Sequence, residues 1–380
     1  MLPLKENKCF KEVLMGKANI EKFRDDNFYV LNSMDDWVRI LDKYGRLVFI
    51  NKKMRRDIHL DRSLIEQNVD TEKLSEKSDI FKNTTIEEEK LINGKYYSIK
   101  SSPLYYKNEF MGIIEVYRDI TSESNMKVDL FNANRKMLED IRFVRKIQTN
   151  ILPKNKTYGD IKLEGRYIPS NDLSGDLFDI IKVDENKYAF YIADVMGHGV
   201  KASIMTMFVK LSISGIFERH SDYSPGQVLK KLRKDFVKLD MNSSQYFTVW
   251  IGIFDIKNNR LTFSNAGHNC PPLHLVENKN RVNKLVVSGR MISNIIEQNI
   301  YQEVTISLHP KDRILFYTDG VTESRDMNKN EYSVERLMEN LKNKKNLDYI
   351  LEDLEKFTWG EQDDDLSLAL IDYKGEKDEN

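Results

Sequence analysis

The feature that most constrains the fold of this chain is a segment of 31 residues, Ser122 to Leu152, that contains no glycine or proline. Its residues are mainly Lys, Arg, Glu, Asn and Leu, a composition that favours one continuous helix, and Pro153 marks its end. Segments typical of strands and turns lie on both sides. Because 380 residues exceed the roughly 250 to 300 that one hydrophobic core can serve, we predict two domains joined by a helical linker over residues 122–155.

A heptad pattern runs along this linker. Apolar residues recur at every seventh position, namely Leu130, Met137, Val144 and Ile151. A second set follows four positions after the first three of these and consists of Asn134, Ile141 and Gln148. The pattern predicts a parallel homodimer, with a helix packed on its own domain as the alternative. Polar residues in such a seam leave two packings close in energy, so the second set is predicted to belong to a regulatory helix.

The N-terminal region, residues 1–121, combines short strands with hairpin turns. Asn93-Gly94 is a strong hairpin signal because both residues tolerate positive φ, and Asp42 to Gly45 and Lys107-Asn108 are further turns. A charge-rich middle, Asp61 to Phe81, is predicted to be helical. Two strand patterns resemble those of a PAS sensor domain: Ile40 to Asn51 and Gly112 to Thr121. The resemblance implies a small α+β sensor domain, and the sequence does not identify a ligand for it.

Residues 156–373 alternate between predicted strands and helices. The strands are short, β-branched and aromatic, and lie at 178–183, 188–193, 247–255, 260–265, 301–307, 313–318 and 366–371. Helices are predicted at 201–217, 225–239, 333–341 and 347–357. Strand hairpins mixed with helix pairs favour an α+β sandwich over a parallel βαβ sheet. Residues 374–380 are predicted to form a disordered tail.

Acidic residues in this second region lie where predicted strands begin or end. Asp194 and Asp319 follow strands and open glycine-bearing turns, Asp176 precedes a strand, and Asp364-Asp365 precede the last one. Carboxylates at strand ends can be held rigidly around one cleft, and hard divalent cations select oxygen ligands. The pattern therefore suggests a two-metal site. Each aspartate taken alone is equally well explained as an ordinary turn or helix cap.

Five separated motifs carry a resemblance to a known family. In chain order they are Ser174 to Asp179, Ala193 to Gly199, Asn265 to Pro272, Tyr317 to Glu323 and Asp364 to Leu368, and Gln148 to Pro153 resembles the helix end that precedes them. Together they resemble the SpoIIE/RsbU-type branch of the PPM superfamily of metal-dependent serine/threonine protein phosphatases. The resemblance implies an α/β-β/α sandwich over residues 156–373. Ser174 and Leu177 depart from the family pattern, which has a glycine and an aromatic residue there.

The resemblance also implies roles for individual residues. Asp194 would bridge two Mn²⁺ or Mg²⁺ ions, and the carbonyl of Val195 would be a backbone ligand. Asp319 and Asp364 would complete one metal site, and Asp176 would bind or position the other ion. Catalysis would use a metal-activated water and no covalent nucleophile. The weaker candidates for the site are Asp179, Gly320 and Asp365.

Two histidines near these motifs are assigned structural roles. His198 lies four residues after Asp194, whereas relatives that use a catalytic histidine place it two residues after, where this chain has Met196. His268 matches a family motif and is predicted to hold its loop by hydrogen bonds. We therefore expect His198 to have a structural role, with a general acid for the leaving group as the alternative, and His268 not to be a ligand.

Composition and charge exclude several classes of function. The 59 Lys and Arg residues nearly cancel the 60 Asp and Glu residues, so the chain lacks the positive field that nucleic acid or anionic lipid requires. Its two cysteines, Cys9 and Cys270, are too few for a disulfide framework, and the sequence shows no signal pattern or long apolar run. We therefore predict a cytoplasmic protein without nucleic-acid or membrane partners.

Other signalling classes fit less well than a metal-dependent phosphatase. A cysteine-dependent phosphatase needs an arginine six residues after its nucleophile, where this chain has Met15 and Val276. A sensor histidine kinase needs a histidine on the connecting helix, and none occurs between His59 and His198. A catalytically inactive phosphoprotein-binding module remains as the alternative. By resemblance, the substrate would be a phosphorylated anti-sigma-factor antagonist of the STAS type.

Overall fold

The computed structural model describes residues 29–57, 84–106, 108–170, 172–241, 245–297, 300–360, 362 and 364–375. The chain forms two compact units, Met1–Arg135 and Lys136–Asn380. The predicted helical segment Asp61 to Phe81 lies outside the described residues, as do residues 376–380 of the predicted tail.

The first unit contains an antiparallel sheet of five strands in the order β2-β1-β5-β4-β3. The strands are β1 (Trp37–Asp42), β2 (Leu47–Ile50), β3 (Ile86–Ile92), β4 (Lys95–Tyr106) and β5 (Glu109–Asp119), with short helices α1 (Tyr29–Asn32) and α2 (Lys52–Asp57). Asn93 and Gly94 have φ values of 51° and 78°, as a tight hairpin between β3 and β4 requires. Trp37 and Tyr97 stack with their ring centroids 4.6 Å apart, which anchors a small core on this sheet.

Helix α3 (Thr121–Ile151) is continuous, as predicted, and ends just before Pro153. Leu130 and Met137 are 62% and 61% exposed, and Asn134 is also exposed. Ile141 is half-buried. Gln148, by contrast, is buried against its own unit, so its predicted place in a dimer seam is wrong and the alternative of packing on its own domain holds there.

The second unit contains two antiparallel sheets. The first has the order β15-β11-β10-β9-β8, and a short strand β14 pairs with β10. Its strands are β8 (Asp176–Lys182), β9 (Lys187–Val195), β10 (Tyr246–Asp255), β11 (Arg260–Ala266), β14 (Ile292–Ser293) and β15 (Glu303–Ser307). The second sheet has the order β13-β12-β16-β17-β7-β6. Its strands are β6 (Lys156–Tyr158), β7 (Ile161–Ile168), β12 (Leu273–Val276), β13 (Arg281–Lys284), β16 (Arg313–Tyr317) and β17 (Leu366–Tyr373), with a 3₁₀ turn Glu277–Lys279 after β12.

The two sheets pack face to face between helices. An aromatic core that includes Phe190, Trp250 and Phe316 fills the space between the sheets. Helices α4 (Val200–Arg219) and α5 (Pro225–Val237) pack on the outer face of the first sheet, and α7 (Val334–Lys342) and α8 (Leu347–Phe357) pack on the second. A short helix α6 (Asp319–Thr322) follows β16. The predicted α+β sandwich is confirmed.

Strand β9 shows why the sequence folds this way. Tyr188, Phe190 and Ile192 point into the core between the sheets, whereas Ala189 and Tyr191 point toward the helices. Side chains alternate across a strand, so both faces of β9 are buried and the strand reads as an almost continuous apolar run. The same alternation places Asp194 on the inter-sheet side.

Helix α4 is long and apolar enough to match a membrane span by length and composition, with 44% of its apolar window buried inside the unit. Met205, Val209 and Ile213 on this helix lie in the core that covers the first sheet. Packing in a protein core therefore accounts for the buried part of this apolar window.

Candidate metal centre

Asp176 and Asp194 face each other across two neighbouring strands. They are register partners in the antiparallel pair of β8 and β9. Direct cross-strand partners place their side chains on the same face, with Cβ atoms about 5 Å apart. That face carries Phe178 and Ile192 in the inter-sheet core, so the two carboxylates continue this row to the end of the sandwich. The fold thereby brings two acidic groups together at the rim of an apolar layer.

The carboxylate of Asp176 is buried and is held from the opposite sheet. Thr318 Oγ1 donates a hydrogen bond of 2.8 Å to Asp176 Oδ2, and the backbone N–H of Ser367 donates to Thr318 Oγ1 at 3.1 Å. Burial raises the pKa of Asp176 well above its usual range, and the neighbouring Asp194 raises it further. Desolvation and a like charge both oppose ionisation, so a nearby positive charge would favour the ionised form of this carboxylate.

Asp319 and Asp364 come from the second sheet and approach the same point. Asp319 opens helix α6, and Asn269 Nδ2 donates a hydrogen bond of 3.2 Å to its Oδ2 atom. A Cβ atom on Gly320 would lie 2.2 Å from the carbonyl oxygen of Asp365 and 3.3 Å from Asp364 Cβ. Only glycine therefore allows the segment after β16 to pass so close to the segment before β17. The role of Gly320 is to permit this close approach of the two backbone segments.

The negative charges around Asp194 would favour the binding of a cation. The pKa of Asp194 is raised to about 7, first by burial and then by the charges of Asp319, Asp364 and Asp365, in that order. All of the charged groups that shift this carboxylate are themselves acidic, and oxygen atoms are the donors that Mg²⁺ and Mn²⁺ prefer. Within the described ranges, no three His, Cys, Asp or Glu side chains already stand in ligating geometry.

The backbone carbonyl of Val195 directly follows Asp194 in the same strand. The N–H of Val195 donates to the carbonyl oxygen of Gly175 at 3.0 Å, and a Cβ on Gly175 would lie 2.5 Å from the carbonyl oxygen of Val195. The glycine therefore leaves room beside a backbone oxygen that the family resemblance predicts to be a ligand.

Two weaker candidates have other partners. Asp179 lies three residues after Asp176 on the same strand, so its side chain points to the opposite face, where Lys210 of α4 donates to it at 2.5 Å. Its prediction as a site residue is wrong. The carboxylate of Asp365 accepts hydrogen bonds from the N–H groups of Ser170 and Gly175, at 2.8 Å and 2.9 Å. Asp365 therefore fastens the loop before β8 to the start of β17.

His268 has the surroundings of a structural residue. Its Nε2 atom lies 3.3 Å from the carbonyl oxygen of Tyr317, and Nδ1 lies 3.4 Å from Thr248 Oγ1. Burial lowers the pKa of His268 to about 4, so the imidazole is neutral at pH 7 and Nε2–H donates to the carbonyl. His198 is exposed between Gly197 and Gly199.

Three supporting residues were not predicted from the sequence: Thr318, Asn269 and Thr248. Thr318 and Asn269 lie inside the quoted motifs, next to Asp319 and His268, so their position in the motif was the available signal. Thr248 is on β10, where its hydroxyl oxygen lies 3.4 Å from both the carbonyl oxygen of Asp194 and Nδ1 of His268. Its role depends on strand pairing between β9 and β10, which no local pattern reveals.

The fold and the convergent carboxylates define a four-layer α+β domain with a candidate cation centre at the end of its two sheets. The family model for Stage II sporulation protein E (SpoIIE) matches residues 184–374, which is half of the chain. The chain belongs to the SpoIIE family.

Two curated relatives and one solved structure are similar to this chain. Phosphoserine phosphatase RsbP of Bacillus subtilis is 31% identical over 196 residues, covering 50% of this chain and 46% of the relative. Phosphoserine phosphatase RsbU of the same organism is 27% identical over 161 residues, covering 42% and 46%. The chain thus spans less than half the length of these relatives. The SiaA-PP2C domain of Pseudomonas aeruginosa has the same fold, with a TM-score of 0.56 and 18% identity over 64% of this chain and 99% of that one.

The raised pKa of Asp194 predicts a pH-dependent cost to stability when no divalent ion is present. From its ordinary value of 3.8 up to about 7, the folded state keeps a proton that the unfolded state has lost, so stability falls as pH rises through this window. In chelated buffer, Asp194→Asn should therefore be more stable than the wild type at pH 8, by up to roughly 4 kcal/mol, and the difference should shrink toward pH 5. Denaturant unfolding at several pH values measures this.

Asp184→Asn is the matched control, because Asp184 lies in an exposed turn away from the cluster. This variant should follow the wild-type profile. A difference between Asp194→Asn and wild type that does not change with pH would contradict the assignment of buried, mutually repelling carboxylates.

Proposed function

We propose that residues 156–373 act as a metal-dependent protein phosphatase that hydrolyses phosphoserine or phosphothreonine. The observation that carries the proposal is the meeting of carboxylates from both sheets around Asp194, because the charged groups that raise its pKa, Asp319, Asp364 and Asp365, are all acidic. Such a cluster is costly unless a cation completes it. The names of the relatives RsbP and RsbU, both phosphoserine phosphatases, support the same activity.

Each residue would have a distinct task at this centre. Asp194, the Val195 carbonyl, Asp319 and Asp364 would hold the ions, and Asp176 would bind or position the second one. Bound Mn²⁺ or Mg²⁺ ions would supply an ionised water and neutralise the phosphoryl oxygens. Thr318 fixes the orientation of Asp176, and Asn269 fixes that of Asp319, through the hydrogen bonds described above. The proposed reaction requires no covalent nucleophile.

The substrate is proposed to be a phosphorylated STAS-type antagonist of an anti-sigma factor, in the cytoplasm. The resemblance to the SpoIIE/RsbU branch supports this choice. The N-terminal unit, with its PAS-like strand patterns, is proposed to be a sensor that regulates the phosphatase.

Helix α3 is proposed to carry the regulatory signal through Gln148. The side chain of Gln148 donates to the carbonyl oxygen of Ser174 at 2.7 Å and accepts from the N–H of Ser174 at 3.3 Å. Ser174 Oγ in turn accepts a hydrogen bond of 2.9 Å from the N–H of Asp176. The end of the helix is therefore two hydrogen-bonded steps from a predicted metal ligand, and a shift of the helix end would move the loop that carries this ligand.

The exposed side of the same helix is proposed to form a homodimer. Met126, Leu130 and Met137 lie at positions four and seven residues apart and are more than half exposed in the single chain. A row of this kind is costly in water and is typical of a helix that pairs with a second copy.

The activity is tested with p-nitrophenyl phosphate and Mn²⁺. Wild-type protein should hydrolyse it in an Mn²⁺-dependent manner, and Asp194→Asn should lower the rate by about 100-fold or more, because a bridging carboxylate is lost. Asp179→Asn is the control, since Asp179 faces Lys210 on the other side of the strand, and it should stay within about threefold once equal folding is verified by thermal melting. Equal rates for wild type and Asp194→Asn would refute the proposed function.

The Gln148 contact predicts a change in metal dependence. Gln148→Ala leaves the buried N–H and carbonyl of Ser174 without their partner, at a cost of about 1 to 3 kcal/mol, and loosens the loop that carries Asp176. The Mn²⁺ concentration for half-maximal activity should rise several-fold. Asn150→Ala, an exposed position on the same helix, should not change it. An unchanged Mn²⁺ titration for Gln148→Ala would contradict the proposed coupling between the end of α3 and the metal site.

The dimer is tested by sedimentation equilibrium. Wild-type protein should sediment as a dimer, and Met137→Lys should shift it toward the monomer, because a charge in a helix seam must lose its hydration. Lys136→Met, at the exposed neighbouring position, should leave the association unchanged. A wild-type protein that remains monomeric at micromolar concentration would exclude this dimer.

A further inference from the structure

A cavity of about 440 Å³ opens beside the candidate metal centre. Asp194 and Asp319 line one part of it, and Arg290, Met291 and Ile296 line another. Its size falls within the range of roughly 300 to 1,000 Å³ that is typical of ligand sites. A group bound in this cavity would meet the predicted metal ligands and the loop before β14 at the same time.

The loop that carries Arg290 is fitted tightly against the neighbouring turn. A Cβ atom on Gly289 would lie 1.7 Å from the carbonyl oxygen of Asn265, and one on Gly267 would lie 2.5 Å from the backbone nitrogen of Met291. Both backbones approach each other at distances that exclude any side chain. The position of Arg290 between these two contacts is therefore fixed by the backbone.

Further hydrogen bonds hold the loop at both ends. Asn265 Nδ2 donates to the carbonyl oxygen of Val287 at 3.2 Å, before the loop. After it, Ile292 and Ser293 pair with β10, and Arg233 of α5 donates to the carbonyl oxygen of Ile296 at 3.0 Å. The part of the cavity lining that carries Arg290 is thus part of the folded framework.

Arg290 differs in charge from the other residues that line the cavity. Among the described residues that line the cavity, Arg290 is the single Lys or Arg, and its side chain is exposed to solvent. A guanidinium group presents a fork of N–H donors that matches two oxygens of a phosphate. The apolar side chains of Met291 and Ile296 beside it offer contact to the rest of a phosphorylated side chain or peptide.

We infer that Arg290 is a substrate-binding residue that donates hydrogen bonds to the phosphoryl oxygens of the bound phosphomonoester. This inference rests on the proposed phosphatase function and adds to it a residue outside the five sequence motifs. Arg290 holds the phosphoryl group in the cavity that Asp194 and Asp319 also line. Its contribution is to substrate binding, so it should appear in KM and in the affinity for inorganic phosphate.

The test compares Arg290→Met and Arg290→Lys with the wild-type full chain. With p-nitrophenyl phosphate and saturating Mn²⁺, Arg290→Met should raise KM about tenfold with a smaller change in kcat, since one charge-assisted hydrogen-bonded contact is lost. Arg290→Lys should recover part of this loss, because it keeps the charge without the fork. Calorimetric titration with inorganic phosphate in the presence of Mn²⁺ should show the same order of affinity without any turnover.

Arg281→Met is the matched control, because Arg281 is an exposed arginine on β13 that does not line the cavity. It should keep wild-type KM and phosphate affinity. An active wild type whose KM and phosphate affinity are both unchanged in Arg290→Met would overturn the inference and leave the phosphatase function standing. A wild type without Mn²⁺-dependent hydrolysis would refute the function itself, and unchanged phosphate binding in Arg290→Met would then refute the inference separately.

Discussion

The repulsion between carboxylates at the end of the inter-sheet core is the constraint around which this domain is arranged. Asp176 and Asp194 are direct cross-strand partners, and Asp319 and Asp365 add further negative charge from the second sheet. Like charges placed opposite each other on a sheet destabilise it, and burial adds a desolvation cost. The fold tolerates the cluster because the aromatic layer of Phe190, Trp250 and Phe316 lies directly beneath it and stabilises both sheets. The cost is concentrated at the one place where a cation would remove it.

The sequence predicted the elements whose patterns are long and regular. Helix α8 was placed at its observed bounds, Leu347–Phe357, and β10 and β11 were placed to within one residue, because their periodicity and apolar runs are strong. Strands β12 and β13 were missed, since one has four buried residues directly after Pro272 and the other is largely polar. Strand β7 was missed as well, because it mixes Lys, Glu and Arg with its apolar residues and contains Gly165. Such strands are specified mainly by their pairing partners.

The residues of the candidate site were likewise predicted only in part from the sequence. Asp176, Asp194, Asp319 and Asp364 were singled out because strand ends and glycines mark positions where a carboxylate can be held rigidly. Asp179 was misplaced because a motif gives sequence proximity and not the face of the strand. Its true partner, Lys210, is 31 positions away on α4 and is found only when the helix packs on the sheet. Arg290 escaped the motifs for a similar reason, since its place at the cavity depends on two glycines in different turns.

The loop before β8 contacts three other segments of the domain. Ser170, Ser174 and Gly175 contact Asp365 from the start of the last strand, Gln148 from the end of α3 and the N–H of Val195 from β9. Gly175 fits so closely against the carbonyl of Val195 that the loop cannot shift without disturbing the backbone beside Asp194. Close-packed structure transmits small displacements, because it has few gaps to absorb them. Ser174, which replaces the glycine of the family pattern, adds to this coupling, because its hydroxyl accepts from Asp176 while its backbone is held by Gln148. The departure from the family pattern thus lies at the residue that connects the helix end to Asp176, a predicted metal ligand.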